Sequence, residues 1–480
     1  MQKAISKYGL AAHLALLAVA PLFLFPFCGE VWTARTLLWL SFLAFAWVLV
    51  EPSRRKDEMP HDARYRVFMS VVRDPLFWFS AFLAVVALVR WLNGGVAMSY
   101  DAESAVWSLK EPSLPFLPGS VSGSGYLPFA TVLAVVVVMQ GCRHALGKAA
   151  RLGFLFISSA LAGLAAVVAI VCAASGHSGA LAASACSTVD ASYVGNAFGL
   201  YLAASMPSLV GAFERKWNRA MPLVILSVGG CGAGLYMFAP DLVIVAYAAL
   251  ALIALAFSLV FAQRKIGGLA VPKCLAMLLV ASAAGVVFSM GVIPASVKAQ
   301  RFAFLFQEGA RFIPDGFIEA RNALSAIAAA VWKDHPWLGT GLGSFALDIR
   351  FNASDADWAL IASNQLGALN GWWQMLAERG IAGVLLFASP LTFLSLTYAM
   401  RAASAVKDAV SRRRPLDIMA FQPACWLGPL AVAVTAACGF VDHSFWRSET
   451  MVAAAAMFAM SGSAFPAVAK NTDAMSETEK

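Results

Sequence analysis

Residues 241–265 read DLVIVAYAALALIALAFSLVFAQRK, an apolar run with Asp241 at its start and Arg264-Lys265 at its end. Coiled as a helix at about 1.5 Å per residue, such a run crosses roughly 30 Å of hydrocarbon. The paired basic residues place its far end on the cytoplasmic side. This stretch decides the class, because comparable runs recur along the chain. They fall near 8–28, 32–51, 75–93, 126–141, 152–174, 196–213, 221–239, 270–292, 381–400, 425–441 and 450–468. The expectation is an all-α polytopic membrane protein with about twelve transmembrane helices.

Composition agrees. The chain has 480 residues, of which 60% are hydrophobic and 13% charged, with mean hydropathy +0.73. A soluble chain of this length needs far more charge to cover its surface. The net charge of +8 does not point to nucleic acid, since most Lys and Arg lie in short segments between apolar runs. Five such segments carry them, around Arg54–Arg66, Arg143–Arg151, Arg215–Arg219, Arg264-Lys265 and Arg401–Arg414. All five fall on one side, which the positive-inside rule makes cytoplasmic. Both termini are then cytoplasmic, and the Lys3/Lys7 start is read as a retained first helix. The eight cysteines form no zinc spacing; a bridge between Cys172 and Cys186 is an open option. Neither a metal nor a cofactor is expected.

Four regions follow: apolar helices over 1–292, a large outer loop over 293–380, further apolar helices over 381–468, and a polar tail over 469–480. The outer loop is rich in Trp, Phe, Leu and Ala, so it is read as partly helical. Long connections with their own pattern are usually functional when they are ordered.

Within the loop, residues 315–333 have helical periodicity, with Phe317, Leu324, Ile327, Val331 and Trp332 on one side. Arg321 falls inside that stripe. Two readings are open: a planar guanidinium held there to bind an anion such as phosphate, or an arginine reaching for a lipid headgroup or a nearby carboxylate. Next comes His335-Pro336-Trp337-Leu338-Gly339-Thr340-Gly341-Leu342-Gly343. It is neither a dinucleotide fingerprint nor a P-loop, since no strand–helix unit or Gly-Lys-Ser/Thr accompanies it. A flexible turn and a backbone turn approaching a ligand or another helix remain the options. Asn370, Gln374 and Glu378, four apart, share one helical face. That face suits sugar hydroxyls with Trp373 as a stacking surface, or is simply solvated. Arg35 and Arg90, near the outer ends of their runs, are expected to snorkel. Asp442-His443 and Arg447 fill a short outer loop.

Taken together, Arg321, the run His335-Pro336-x-Leu338-Gly339-x-Gly341-x-Gly343-x-Phe345, and Asn370 through Gln374, Glu378, Gly380 and Gly383 resemble the O-antigen ligase and polysaccharide polymerase superfamily. Residues 193–202 resemble that family's second outer-loop motif. The resemblance implies a bacterial inner-membrane glycosyltransferase with a periplasmic active loop. Such a protein moves a glycan from an undecaprenyl-pyrophosphate carrier onto an acceptor sugar, either a growing glycan or lipid A-core, among membrane lipids. It implies pyrophosphate or glycan binding by Arg321, with Arg311, Arg350, Arg447, Asn370, Gln374 and Trp373 as further ligands. Catalytic candidates are His335, Glu378 and His443, and the structural glycines are Gly339, Gly341, Gly343, Gly380 and Gly383. Two positions depart from the family. Leu369 stands where a His is usual, and Gly195 stands where an Arg is common. A transporter or lipid flippase, and a non-catalytic assembly scaffold, are the other classes of function considered.

Overall fold

The computed structural model describes residues 2–50, 59–101, 103, 105–114, 116–117, 119–121, 125–174, 192–214, 221–239, 241–266, 270–292, 317–355, 357, 367–411, 424–440 and 448–461. Most of them are helical. Seven segments are long and apolar enough to cross a membrane: Val31–Val50, Pro75–Leu92, Tyr126–Ala145, Ala150–Cys172, Met221–Phe238, Leu242–Val260 and Val271–Val292. Shorter apolar helices cover Gly9–Leu24, Leu427–Cys438 and Ser448–Ala459.

The first helical stretch, α1 (Gln2–Val50), folds back on itself. The His13 ring nitrogen lies 3.3 Å from the Leu40 carbonyl, and His13 packs on Trp47. In a straight helix residues 13 and 40 would stand about 40 Å apart. The stretch is therefore an antiparallel pair, in agreement with the separate runs expected at 8–28 and 32–51.

Next come α2 (Pro60–Val72) and α3 (Pro75–Leu92). Asp74 caps α3 by accepting from the Leu76 amide at 3.2 Å, beside a proline at the first helical turn. Asp74 also bridges His144 at 3.0 Å and Arg143 at 3.3 Å. Then follow α4 (Tyr126–Gln140), which ends in the π-helical turn Gly141–Ala145, α5 (Lys148–Ala174) and α6 (Ser192–Glu214). After these, α7 is built from Met221–Val224, Ile225–Gly230 and Cys231–Phe238, and is followed by α8 (Asp241–Ile266) and α9 (Ala270–Val292). The main core is drawn from α1, α4–α9 and the two late apolar helices α13 (Ala424–Cys438) and α14 (Ser448–Ser461). Two buried tyrosine hydroxyls inside it are paired, Tyr201 donating to the Ala18 carbonyl at 2.9 Å and Tyr247 meeting Thr435 at 3.2 Å. An unpaired hydroxyl in such a core costs several kcal/mol.

A polar module sits at the end of α3. Its sheet has the order β2-β1-β3, with β1 (Gly94–Asp101) antiparallel to β2 (Val106–Lys110) and parallel to β3 (Ser120–Val121). Asn93 ties down the loop between them, since its side chain reaches Leu114 and Leu117 carbonyls at 3.0 and 3.1 Å. The module's helices are α10 (Phe317–Asp334), α11 (Phe345–Asn352) and the first turns of α12 (Gly371–Ser411). They close over a small core of their own that includes Leu324, Ile327, Val331, Phe345 and Leu369. The predicted apolar stripe of residues 315–333 thus turns inward on Leu324, Ile327 and Val331; residues 315 and 316 lie outside the described residues.

Candidate functional site

The site is organised by the glycines of residues 339–343. Gly339, Gly341 and Gly343 have φ of 70°, 123° and 77°, values that only glycine adopts cheaply. Their bare backbone lies directly on a kink in α12, where Gly380 has φ 63° and ψ −171°. Four main-chain bonds fasten the two together. Thr340 and Gly341 donate to the Ala377 and Glu378 carbonyls at 3.0 Å each. Ile381 and Ala382 donate to Pro336 and Trp337 at 2.9 and 3.1 Å. A Cβ at Gly339 would stand 2.3 Å from the Glu378 carbonyl carbon, and one at Gly380 would stand 2.4 Å from Trp337 backbone. On its other side the loop joins the sheet: Val121 donates to Leu342 at 2.9 Å and Leu342 to Gly119 at 3.1 Å. Of the two readings left open, backbone approach to another helix is the one realised.

Arg90 enters this junction from α3. It is 4% exposed, and donates to the Leu338 carbonyl at 3.2 Å and the Glu378 carbonyl at 3.4 Å. The expected snorkelling is therefore corrected. Carbonyls freed by the glycine loop and the kinked helix draw the guanidinium inward, where they replace its water shell.

Glu378 is buried, accepts from the Gln374 amide at 3.1 Å, and also takes the Gly343 N–H. Burial pushes its carboxyl above the usual range, against the pull of Arg379 and these hydrogen bonds. The same burial lowers Arg379, opposed by Glu378. The Arg379 stem lies over Gly383, where a Cβ would meet the Arg379 Cβ at 2.3 Å. Beside them Thr340 bonds the Asp348 carboxylate at 2.8 Å and the Ser344 hydroxyl, while Ser344 donates to Gly341 at 2.8 Å. Burial raises Asp348 too, against the two hydroxyls and the nearby His335. His335 itself is exposed.

The remaining expected residues divide. Asn370 caps α12, accepting from the Trp372 and Trp373 amides at 3.1 and 3.3 Å. Gln374 accepts from Ala368 at 3.3 Å while donating to Glu378. Both side chains thus serve their own backbone and Glu378, and the polar stripe is a brace rather than a solvated face. Trp373 packs on Trp332 at 6.1 Å between ring centres. Arg321 donates to the Phe440 carbonyl, and its Nε is buried with no hydrogen-bond partner among the described residues. Arg321 and His335 are fourteen residues apart, so they stand about 20 Å apart along the α10 axis. Arg350 is exposed, with Met98 sulfur at 3.7 Å. Arg311, His443, Arg447 and Cys186 lie outside the described residues.

The two positions that differ from the expected motifs have tight surroundings. Leu369, 1% exposed with φ 49°, fills the module's core. At Gly195 a Cβ would stand 2.6 Å from the Ala239 backbone, so no arginine stem fits. Sequence reading missed Arg90, Arg379, Thr340, Ser344 and Asp348 as site members. Only the four-residue spacing of Thr340, Ser344 and Asp348 offered a signal for any of them.

Fold and site define a class: a helical protein with membrane-length apolar helices and a polar module fastened to one end by a glycine-rich crossing. No protein-family model matches the chain, and no curated protein matches it.

Proposed function

We propose that this chain is an inner-membrane glycosyltransferase that moves a glycan from an undecaprenyl-pyrophosphate carrier to an acceptor sugar, extending or attaching a surface polysaccharide. The observation that carries it is the convergence at one end of the apolar helices. A glycine backbone turn there meets two arginines, a buried glutamate and an exposed histidine. Glycan transfer needs such a set. The acceptor hydroxyl oxygen attacks the anomeric carbon. The bond from that carbon to the pyrophosphate oxygen breaks, and the carrier leaves with the electron pair. Cations stabilise the charge that builds on it. The hydroxyl proton passes to a base, for which His335 is the exposed candidate beside Asp348. Arg321, at the far end of α10, serves binding of the glycan or its phosphate rather than bond breaking. The active face is periplasmic on the charge distribution, and both termini are cytoplasmic.

The test is a deletion strain complemented with variants. Loss of long chains leaving single capped repeats marks a polymerase; free lipid-linked polymer marks a ligase. Arg321→Ala and His335→Ala should each lower transfer at least 100-fold. Unchanged surface glycans on deletion would sink the proposal. A transporter or flippase is the second reading, favoured by the buried Gln140 amide in α4, which has no partner among the described residues. Full activity in Arg321→Ala would favour that reading.

A further inference from the structure

A groove between α3, α4, α12 and α14, lined by Arg90, Arg379, Leu342 and Gly383, opens on the glycine crossing and belongs to the site already described. A separate hollow lies at the other end of α3. It is lined by Val72, Arg73, Pro75, Trp78, Phe79 and Phe82. Arg73 and Arg90 are seventeen residues apart in the chain, about 25 Å along a helix, so the two places stand at opposite ends of a membrane-length segment. On the orientation proposed above, the hollow is at the cytoplasmic end. Trp78 is held across the junction of α2 and α3 by its indole N–H, which donates to the Val72 carbonyl at 2.8 Å. Phe79 packs on Phe393 of α12, with ring centres 5.9 Å apart. Arg73, at the corner between the two helices, is exposed. The adjacent carboxylate does not compete for it: Asp74 is buried and taken by the Leu76 amide, His144 and Arg143. Asp62 is eleven residues off, about 16 Å along α2.

Two observations say what covers the hollow. The first is continuity. Trp78, Phe82, Val85 and Leu92 are exposed at helical spacing, the stripe that a membrane-length helix turns to lipid. The hollow ends that stripe and shares Trp78 and Phe82 with it. On α2, Tyr65 and Phe68 are exposed as well, and with Val72 they fall on one helical face. The apolar surface therefore bends from α3 onto α2 at Arg73. A helix that is apolar on one face and basic elsewhere lies in the headgroup layer. The second observation is charge. The described residues of this stretch, 59–73, hold Arg64, Arg66 and Arg73 against Asp62 alone. We infer that this corner binds an anionic glycerophospholipid, with its phosphate on Arg73 and an acyl chain along Trp78 and Phe82. The guanidinium fork matches phosphate oxygens, and the surrounding arginines favour a head of net negative charge. This lipid is one of the bilayer's own, held at the end of α3 away from Arg90. The site stands whether or not the protein transfers glycan.

The full-length protein in detergent is titrated with dioleoylphosphatidylglycerol, dioleoylphosphatidylcholine, dioleoylglycerol and glycerol 3-phosphate, and melting temperature and Kd are read. Phosphatidylglycerol should bind about 10-fold tighter than dioleoylglycerol, which lacks the phosphate, and than glycerol phosphate, which lacks the chains. Phosphatidylcholine, whose head carries its own cation, should bind roughly 3-fold more weakly than phosphatidylglycerol. Arg73→Gln should abolish the advantage of phosphatidylglycerol over dioleoylglycerol and leave dioleoylglycerol unchanged. Trp78→Ala should weaken both lipids alike, because it removes a wall of the chain's path. Arg35→Gln takes an exposed arginine off Trp32 on another helix and should bind like the parent. Phosphatidylcholine or dioleoylglycerol binding as tightly as phosphatidylglycerol would mean unselective lipid contact and overturn the inference. Glycerol phosphate binding as tightly would mean a free-anion site and overturn it too. So would parental binding in Arg73→Gln, or an equal loss in Arg35→Gln. The two readings fail separately: unchanged surface glycans on gene deletion sink the transfer reading alone, and parental lipid binding in Arg73→Gln sinks this one alone.

Discussion

At Gly339 a backbone and a helix meet with no room between them. A methyl group there would have to displace the Glu378 main chain and hold φ near 70°. The positive φ alone costs about 1–2 kcal/mol and the overpacking about 1–3 more. Gly339→Ala should therefore lower the melting temperature of the purified protein by several degrees. Gly232→Ala, where a Cβ would meet nothing within 4 Å, should leave it unchanged or slightly raised. Equal melting of the two variants would contradict the crossing. The same crossing shapes the titration of its carboxyls. Glu378 and Asp348 have folded pKa values raised by burial, so the unfolded chain gives up these protons first. Stability then falls as pH rises from the ordinary carboxylate range through the raised values. Melting curves from pH 4 to 7 should show this decline in the parent and a flatter one in Glu378→Gln. Legibility at this scale was uneven. The glycines announced an unusual turn, but Arg90 and Arg379 looked like ordinary basic residues, because the carbonyls and the groove they meet come from distant chain.

Elements were the most readable level. Among the described residues each expected apolar run overlaps a helix, and seven of the helices are long and apolar enough to cross a membrane, since a run of that length leaves the backbone no better way to satisfy its own polar groups in an apolar setting. The fold-back within α1 was visible as two runs. The small sheet was not foreseen: β3 is bonded to Leu342, more than two hundred residues on, and no local periodicity reports such a partner. The polar stripe Asn370–Gln374–Glu378 was visible as a face, but its purpose was not. Its N-terminal end is a helix cap, so Asn370→Ala should cost about 1 kcal/mol of stability and Asn370→Asp only a few tenths. Thermal melting of the two variants decides this, and equal losses would deny the cap. The kink at Gly380 divides α12 into an outer piece that closes the module's core and an inner piece that lines the groove.

For the molecule as a whole, the distribution of basic residues predicts orientation. A reporter enzyme fused after Asn352 should be active only if it is of the kind that works outside the cytoplasm, and one fused after Ser411 only if it works inside. The opposite pattern would invert the chain and move the polar module to the cytoplasm. The fold also gives the molecule a characteristic order of completion. Arg90 leaves the ribosome 288 residues ahead of the Glu378 carbonyl that receives it. At about 5–20 residues per second, that interval is roughly 15–60 s. For the first 248 of those residues the new chain carries a guanidinium at the end of an apolar helix with both eventual acceptors, the Leu338 and Glu378 carbonyls, still unmade. A nascent chain stalled before Leu338 would keep that charge uncovered, which distinguishes unfinished copies from finished ones.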